Sequence, residues 1–123
     1  MARILIVEDD DFLRTLLAQK LERNDHEVEQ AETGERALKI IPEYKPELVL
    51  LDLLLPPGMH GFEVLTWIKK QSAPLSNTPV IILSNLGSKE DIDKGTSLGA
   101  DDFLVKAKFT PQEIIEKIKT FTE

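Results

Sequence analysis

The sequence contains no cysteine among its 123 residues. Disulfide bonds and thiolate metal sites are therefore excluded. No apolar stretch approaches the roughly 20 residues that a membrane-spanning helix needs, so we expect no membrane association. The length suits one domain with a substantial core, and we expect a single domain over residues 1–123 with no output domain in this sequence.

Basic residues are too few to balance the acidic ones. Fifteen Lys and Arg residues face 22 Asp and Glu residues, for a formal net charge of −7. Nonspecific nucleic-acid binding requires many lysines and arginines to neutralise phosphates, so we expect no direct contact with nucleic acid. The amino terminus, MARILIVEDD, has no basic leader followed by an apolar segment and a cleavage site. We therefore expect a cytoplasmic protein.

Several common functional motifs are also missing. The sequence has no Walker loop, GxGxxG turn, HExxH helix or Ser-His-Asp set, so the usual nucleotide-binding and hydrolase mechanisms have no scaffold. Internal repeats, low-complexity tracts and linkers are absent too. What the sequence does contain is a regular alternation of strand-like and helix-like segments.

Five strands and five helices are predicted in alternation. Apolar and β-rich runs predict strands; the segments are RILIV (3–7), HEVEQA (26–31), PELVLLD (46–52), TPVIILS (78–84) and DDFLVK (101–106). Helical spacing and helix-start signals predict helices over residues 12–23, 34–41, 61–70, 88–99 and 110–121. Pro42 is expected to end the second helix. Thr110 and Glu113 predict a capping box for the last one.

This order predicts an α/β fold in which helices cover both faces of a parallel sheet. Ligands bind to such sheets outside the carboxyl ends of the strands. The residues at those ends are EDDD (8–11) after the first strand, Asp52 after the third, Ser84 after the fourth and Lys106 after the last. If the sheet is parallel, all four groups lie at one edge.

The chemistry of these groups is mutually compatible. Carboxylates that converge repel one another unless a cation lies between them, and Mg²⁺ prefers oxygen ligands from one or two carboxylates, water and phosphate. An aspartate can attack phosphorus and become an aspartyl phosphate. Lys106 would supply a charge, and Ser84 a hydroxyl donor, to phosphoryl oxygens. The strand ends therefore indicate Mg²⁺-assisted phosphoryl chemistry.

Each group taken alone also has a purely structural interpretation. The EDDD segment can be a solvated loop that caps the next helix, because aspartate is favourable near a helix N-terminus. Asp52 can be a turn residue, and Ser84 and Lys106 can be structural or solvated. Four strand ends with compatible groups favour the chemical interpretation.

The sequence resembles the receiver domain of two-component response regulators over essentially its whole length. The motifs ILIVEDD, LVLLDLLLP, GFEVL, VIILSN and GADDFLVK occur in the family's order and spacing. The resemblance implies a flavodoxin-like doubly wound fold with strand order 2-1-3-4-5. It also implies a phosphorylation-dependent signalling switch in a phosphorelay, which assists its own phosphorylation and dephosphorylation and is not an enzyme.

The resemblance makes Asp52 the phosphoacceptor. Its phosphoryl group would come from a phosphohistidine on a histidine kinase or a histidine phosphotransfer protein. Mg²⁺ would be bound by Asp9 and Asp52 directly, by Glu8 through a metal-bound water, and by the backbone carbonyl of Leu54.

The resemblance also implies how phosphorylation is transmitted. Ser84 would contact the phosphoryl group once formed, and Lys106 would pair with it. Phe103 matches the family's switch aromatic, which turns inward as the Ser84 hydroxyl is drawn toward phosphate. The surface of the fourth helix, last strand and last helix would then change and control a downstream effector protein or output domain. Asp10 and Asp11 have no role in this scheme beyond capping the first helix.

The sequence departs from the family's pattern at three places. The family commonly has Lys-Pro with a cis bond where this chain has Lys106-Ala107. A cis bond before a non-proline residue costs about 3 to 4 kcal/mol, so we expect the loop to hold Lys106 differently. The segment LPPGMHG is one residue longer than the usual loop, a shift in the region that the kinase contacts. Leu54 and Leu86 occupy positions that tune dephosphorylation in the family, and their bulk predicts hindrance of the attacking water.

Two other classes of function stay open from the sequence. An Mg²⁺-dependent phosphohydrolase with an aspartyl intermediate would require a DxDx[TV] turn after the first strand, and DDDF (9–12) lacks the final Thr or Val. A pseudo-receiver that acts only as an interaction module would not need Asp9, Asp52, Ser84 and Lys106 together. The altered loop after Lys106 keeps this second class open.

Overall fold

The computed structural model describes residues 1–122. Its single sheet has five parallel strands in the order β2-β1-β3-β4-β5, which confirms the predicted topology. The strands are β1 (Arg3–Val7), β2 (Glu27–Ala31), β3 (Leu48–Leu51), β4 (Val80–Ser84) and β5 (Asp102–Val105). The strand order reverses between β1 and β3, and ligands bind at such a reversal in sheets of this kind.

Five α-helices and two short 3₁₀ turns connect the strands. The helices are α1 (Asp11–Arg23), α2 (Gly34–Tyr44), α3 (Gly61–Lys69), α4 (Lys89–Ser97) and α5 (Pro111–Thr122), and the turns are Leu75–Asn77 and Lys106–Lys108. Side chains cap most of the helix starts, as they do when a polar residue precedes the first turn. The predicted capping box is present: Glu113 N donates to Thr110 Oγ1, and Thr110 N donates to Glu113 Oε1.

The prediction that Pro42 ends the second helix is wrong, because α2 continues to Tyr44. Proline removes only its own amide bond to the preceding turn. Pro42 lies in the last turn and is exposed, so little of the helix depends on the missing bond. The helix ends instead at Lys45, whose φ of 52° is left-handed and whose amide donates to the Ile41 carbonyl.

The core has two layers because the three central strands, β1, β3 and β4, are buried on both faces. In β1, Ile4 and Ile6 pack with α1 and α5 on one face, whereas Leu5 and Val7 pack with α2 and α3 on the other. Both sets of residues are apolar, which is why the strand sequences lack a polar alternation. In the described part of the chain, no helix is both long and apolar enough to cross a membrane.

Helix α4 is attached differently from the other helices. The only residue that it buries is Gly95. A Cβ atom at Gly95 would lie 2.9 Å from Ile82 Cδ1 and 3.1 Å from Phe103 Cδ2. The backbone of α4 therefore rests directly on side chains of β4 and β5.

Tyr44 at the end of α2 should make the free energy of unfolding decrease at high pH. Its hydroxyl donates to the Glu27 carbonyl at 3.0 Å. Burial, together with the negative charges of Glu27 and Glu29, raises the pKa of Tyr44 from 10.0 to about 12. Because the folded pKa exceeds the unfolded one, the contribution is complete below pH 10 and is lost as the pH rises toward 12.

Tyr44→Phe is therefore expected to lower the free energy of unfolding by about 1 kcal/mol at neutral pH, the usual net value of one hydrogen bond. The difference between wild type and variant should shrink as the pH is raised past the tyrosine's ordinary pKa. Urea unfolding at a series of pH values measures it. A difference that stays constant up to the highest pH would contradict the prediction.

Candidate functional site

Glu8 and Asp52 lie side by side at the carboxyl edge of the sheet. Glu8 follows β1 and Asp52 follows β3, and their exposed fractions are only 2% and 4%. The amide of Glu8 donates to the Ala31 carbonyl at 3.0 Å, and the amide of Asp52 donates to the Val7 carbonyl at 2.9 Å. Sheet-type hydrogen bonds thus fix the backbone of both residues just beyond the strands.

Lys106 is the cation that faces these two buried carboxylates. Its Nζ lies 2.6 Å from Glu8 Oε1 and 3.1 Å from Asp52 Oδ2. Burial by itself would lower the pKa of Lys106, but the close contact with Glu8 and the charges of Asp52 and Glu8 outweigh it and raise that pKa. Two carboxylates are therefore tolerated at this depth because a paired lysine offsets their desolvation.

Ala107 stands where the family commonly has proline, and Lys106 nevertheless lies at the site. Among residues 1–122 the one cis peptide precedes Pro74, so the Lys106–Ala107 bond is trans. Lys106 opens a 3₁₀ turn that ends at Lys108. The lysine still reaches both carboxylates from this backbone.

One lysine does not fully compensate the carboxylates. Burial, with a further contribution from the charge of Asp52, raises the pKa of Glu8 to about 7 despite the close contact with the Lys106 ammonium group. Glu8 Oε2 accepts from the Asp10 amide at 3.1 Å. Glu8 Oε1 is buried and has the lysine contact without a well-aligned hydrogen bond. The site is therefore short of positive charge.

Asp9 adds a third carboxylate to this pair. Ligand atoms of Glu8, Asp9 and Asp52 all lie within 4.8 Å of one another, and Asp9 is on the exposed side. Carboxylate oxygens are hard donors of the kind that Mg²⁺ prefers. The donor set and the incompletely satisfied Glu8 oxygen both fit a divalent cation. Leu54 adjoins the cluster, because its amide donates to Asp52 Oδ1 at 3.4 Å.

The loop after Asp52 is held tightly against it. The amide of Gly61 donates to the Leu53 carbonyl at 3.0 Å. A Cβ atom at Gly61 would overlap the Asp52 carbonyl oxygen and lie 2.6 Å from Leu53 Cα, so this close approach requires glycine. The long LPPGMHG segment is also packed on α2, because a Cβ atom at Gly34 would lie 2.8 Å from Met59 Cβ. Sequence reasoning missed this packing, for which glycine at the first position of α2 and of α3 was the available signal.

Among residues 1–122, Ser84 and Phe103 have no hydrogen bond to the carboxylates and are bonded or packed elsewhere. Ser84 is fully buried at the end of β4, and its Oγ accepts from the Leu86 amide at 3.2 Å. Phe103 pairs with Ile82 in the sheet register and packs over Gly95. The structure thus joins Glu8, Asp9, Asp52 and Lys106 in one cluster, with Ser84 at the same edge and Phe103 on the side of α4.

Sequence reasoning also missed a buried arginine next to the site. Arg14 lies on the inner face of α1, and its Nη1 donates to the Glu8 carbonyl at 2.8 Å. A charged residue one turn before buried Leu17 and Ala18 was the signal in the sequence.

Comparison with known proteins identifies the family. The response regulator receiver domain model matches residues 4–119. The transcriptional regulatory protein AfsQ1 of Streptomyces coelicolor is 40% identical over 106 residues, which are 86% of this chain and 45% of that protein. The chain spans about half the length of the curated relatives that it matches.

Two solved receiver structures superpose closely on the chain. The BeF₃-activated N-terminal receiver domain of Klebsiella pneumoniae RstA is 30% identical, with a TM-score of 0.85 and 97% of each chain covered. The Mn²⁺-bound form of the response regulator Rcp1 is 30% identical, with a TM-score of 0.83 and coverage of 98% of this chain and 94% of that one. The chain therefore belongs to the response regulator receiver domain family, whose members act as phosphorylation-dependent signalling switches.

Proposed function

We propose that Asp52 is the phosphoacceptor of this receiver domain. Its carboxylate is one of the two that the fold buries at the strand-order reversal, and Lys106 pairs with it at 3.1 Å. That pairing is the observation that carries the proposal, because a nucleophile toward phosphorus must be ionised and held in a fixed orientation.

The phosphoryl donor is a phosphohistidine on a histidine kinase or a histidine phosphotransfer protein, as the family assignment suggests. An Asp52 oxygen forms a bond to phosphorus while the bond from phosphorus to the donor nitrogen breaks. Lys106 is then free to pair with a phosphoryl oxygen. The Ser84 hydroxyl, which accepts from the Leu86 amide, would donate to another phosphoryl oxygen after it rotates.

Glu8, Asp9 and Asp52 are the side chains that would hold Mg²⁺, together with the Leu54 backbone carbonyl. Glu8 would act through a water. The ion would neutralise charge on the phosphoryl oxygens during transfer. The proximity of three carboxylates, of which Lys106 contacts only two, supports this assignment.

Phosphorylation would be transmitted through Phe103 to the surface of α4, β5 and α5. Because Phe103 packs directly on Gly95, a displaced ring would disturb the contact between α4 and the sheet. The partner controlled by this surface is a downstream effector protein or an output domain. The net charge of −7 supports a signalling domain that does not itself contact nucleic acid. One sheet with a core on each face supports a single receiver domain over residues 1–123.

Intact mass spectrometry after incubation with acetyl phosphate tests the proposal. With Mg²⁺ we expect one added phosphoryl group, and with chelator none. If no mass is added, rapid hydrolysis is checked by binding of beryllofluoride with Mg²⁺. Failure of both assays would overturn phosphotransfer and leave a phosphate-independent interaction module.

Leu54 is expected to prolong the life of the phosphorylated state. Its side chain is 49% exposed beside Asp52, where it would hinder the water that attacks phosphorus. Leu54→Asn should shorten the phosphoryl half-life several-fold, because an amide orients water where a leucine excludes it. Loss of added mass over time after removal of the donor measures the half-life. A wild-type half-life no longer than that of the variant would contradict the prediction.

A further inference from the structure

Arg14 is a buried charge that the phosphotransfer scheme does not use. In the part of the chain that the structure describes, the buried charged residues are Glu8, Arg14 and Asp52. The first and last belong to the proposed site. Arg14 is 8% exposed, and an arginine is rarely buried unless its donors are paired.

The guanidinium group of Arg14 hydrogen-bonds to the first and last residues of the acidic loop, residues 8–11. Nη1 donates to the Glu8 backbone carbonyl at 2.8 Å, and Nη2 contacts Asp11 Oδ1 at 2.6 Å. Nε donates to Gln30 Oε1 at 3.1 Å, which orients the group from β2. A planar fork with several fixed donors can make these bonds at once, whereas the single nitrogen of lysine cannot.

These two contacts bracket Asp9, whose own carboxylate has no hydrogen bond or ion pair with any of residues 1–122. The orientation of Asp9 must therefore come from its backbone. The Glu8 carbonyl and the Asp9 amide belong to one planar peptide unit. A bond that fixes this carbonyl consequently fixes the peptide plane that carries the Asp9 Cα atom, and the bond from the Asp10 amide to Glu8 Oε2 restrains the peptide on the other side of Asp9.

We propose that Arg14 is a positioning residue for the metal site, acting through the backbone of Glu8 and Asp9. The inference rests on the proposed function, since it assumes that Asp9 is a ligand of Mg²⁺. Arg14 does not contact the metal or the phosphoryl group. It holds the loop so that the Asp9 carboxylate is presented beside Glu8 and Asp52.

The direction in which Mg²⁺ affinity changes when Arg14 is substituted distinguishes a positioning role from a purely electrostatic one. Removal of a positive charge near a cation site would by itself tighten Mg²⁺ binding. If Arg14 positions the loop, Arg14→Met should instead raise the Mg²⁺ dissociation constant by about tenfold, as is common for residues that orient metal ligands. Arg14→Lys, which keeps the charge without the fork, should weaken binding as well.

The experiment is a MgCl₂ titration of each folded variant, followed by the backbone amide shifts of residues 8–11, with a thermal melt of each protein. Arg3→Met is the matched control, because Arg3 Nε also donates to backbone carbonyls, those of Tyr44 and Lys45, at the opposite edge of the sheet. It should lower the melting temperature without a change in Mg²⁺ affinity. Gln30→Ala, which preserves every charge, should give a small increase in the dissociation constant.

Unchanged or tighter Mg²⁺ binding in Arg14→Met would overturn the positioning role. If that variant does not fold, unchanged affinity in both Arg14→Lys and Gln30→Ala would overturn it equally. Wild-type protein that binds no Mg²⁺ would overturn the metal site itself, and the role of Arg14 with it. The failure of the further inference is thereby distinguishable from the failure of the proposed function.

Discussion

Asp52→Asn is expected to abolish phosphorylation by acetyl phosphate completely. The amide has nearly the same shape as the carboxylate, but it carries no negative charge and is not a nucleophile toward phosphorus. The fold should be retained, because the amide fits the same buried space and Lys106 keeps its 2.6 Å contact with Glu8. Intact mass with and without donor measures the outcome.

Asp10→Asn is the matched control for this variant. Asp10 lies in the same acidic loop and accepts from the Leu13 amide as the N-cap of α1. Asparagine caps a helix about as well as aspartate, so only one nearby carboxylate charge is lost. We expect normal phosphorylation of Asp10→Asn. A phosphoryl group that persists on Asp52→Asn would move the acceptor to another carboxylate of the cluster.

Lys106→Met should have the largest effect on the stability of the metal-free protein. The substitution leaves Glu8 and Asp52 buried without their cation, and loss of one partner of a buried ion pair costs about 3 to 5 kcal/mol. Mg²⁺ should restore much of this loss, because it binds the same carboxylates only in the folded state. Urea unfolding with and without Mg²⁺, followed by the fluorescence of Trp67, measures both quantities.

Lys108→Met provides the comparison for this second variant. Lys108 lies two residues farther on, at the end of the same 3₁₀ turn, and it is exposed. An exposed substitution of this kind should change the free energy of unfolding by less than about 0.5 kcal/mol. The interpretation of the site would be wrong if Lys106→Met were as stable as Lys108→Met, or if Mg²⁺ stabilised both equally.

The sheet and its functional edge were predictable because they depend on local patterns. Apolar runs such as RILIV and PELVLLD have no polar alternation, and that property alone requires burial on both faces. Once the strands are parallel, topology places Asp52 and Lys106 at one edge without any knowledge of side-chain contacts. The sequence assigned Lys106 to a phosphoryl oxygen, and its pairing with Glu8 and Asp52 is seen only in the structure.

The features that were not predicted depend on contacts between segments distant in the chain. The burial of Arg14 requires the Glu8 carbonyl and the Gln30 amide to converge, which no local pattern indicates. The packing of Met59 on Gly34 likewise joins the loop after β3 to the start of α2. Pro42 was misjudged because a general rule about helix interiors was applied to a last turn, where little hydrogen bonding remains to be lost.

The contact of Gly95 with the side chains of Ile82 and Phe103 determines how easily α4 can move. α5 inserts three isoleucine side chains into the core, and its removal would open a cavity. α4 buries no side chain completely, although Ile92 is half-buried and Leu98 at its end packs against the core. A shift of α4 should therefore open a smaller cavity than a shift of α5. The amide protons of α4 should therefore exchange with solvent through local openings that need far less free energy than global unfolding. A helix held in this way should cost little to reposition, and the proposed displacement of the Phe103 ring beneath it would then change the position of α4.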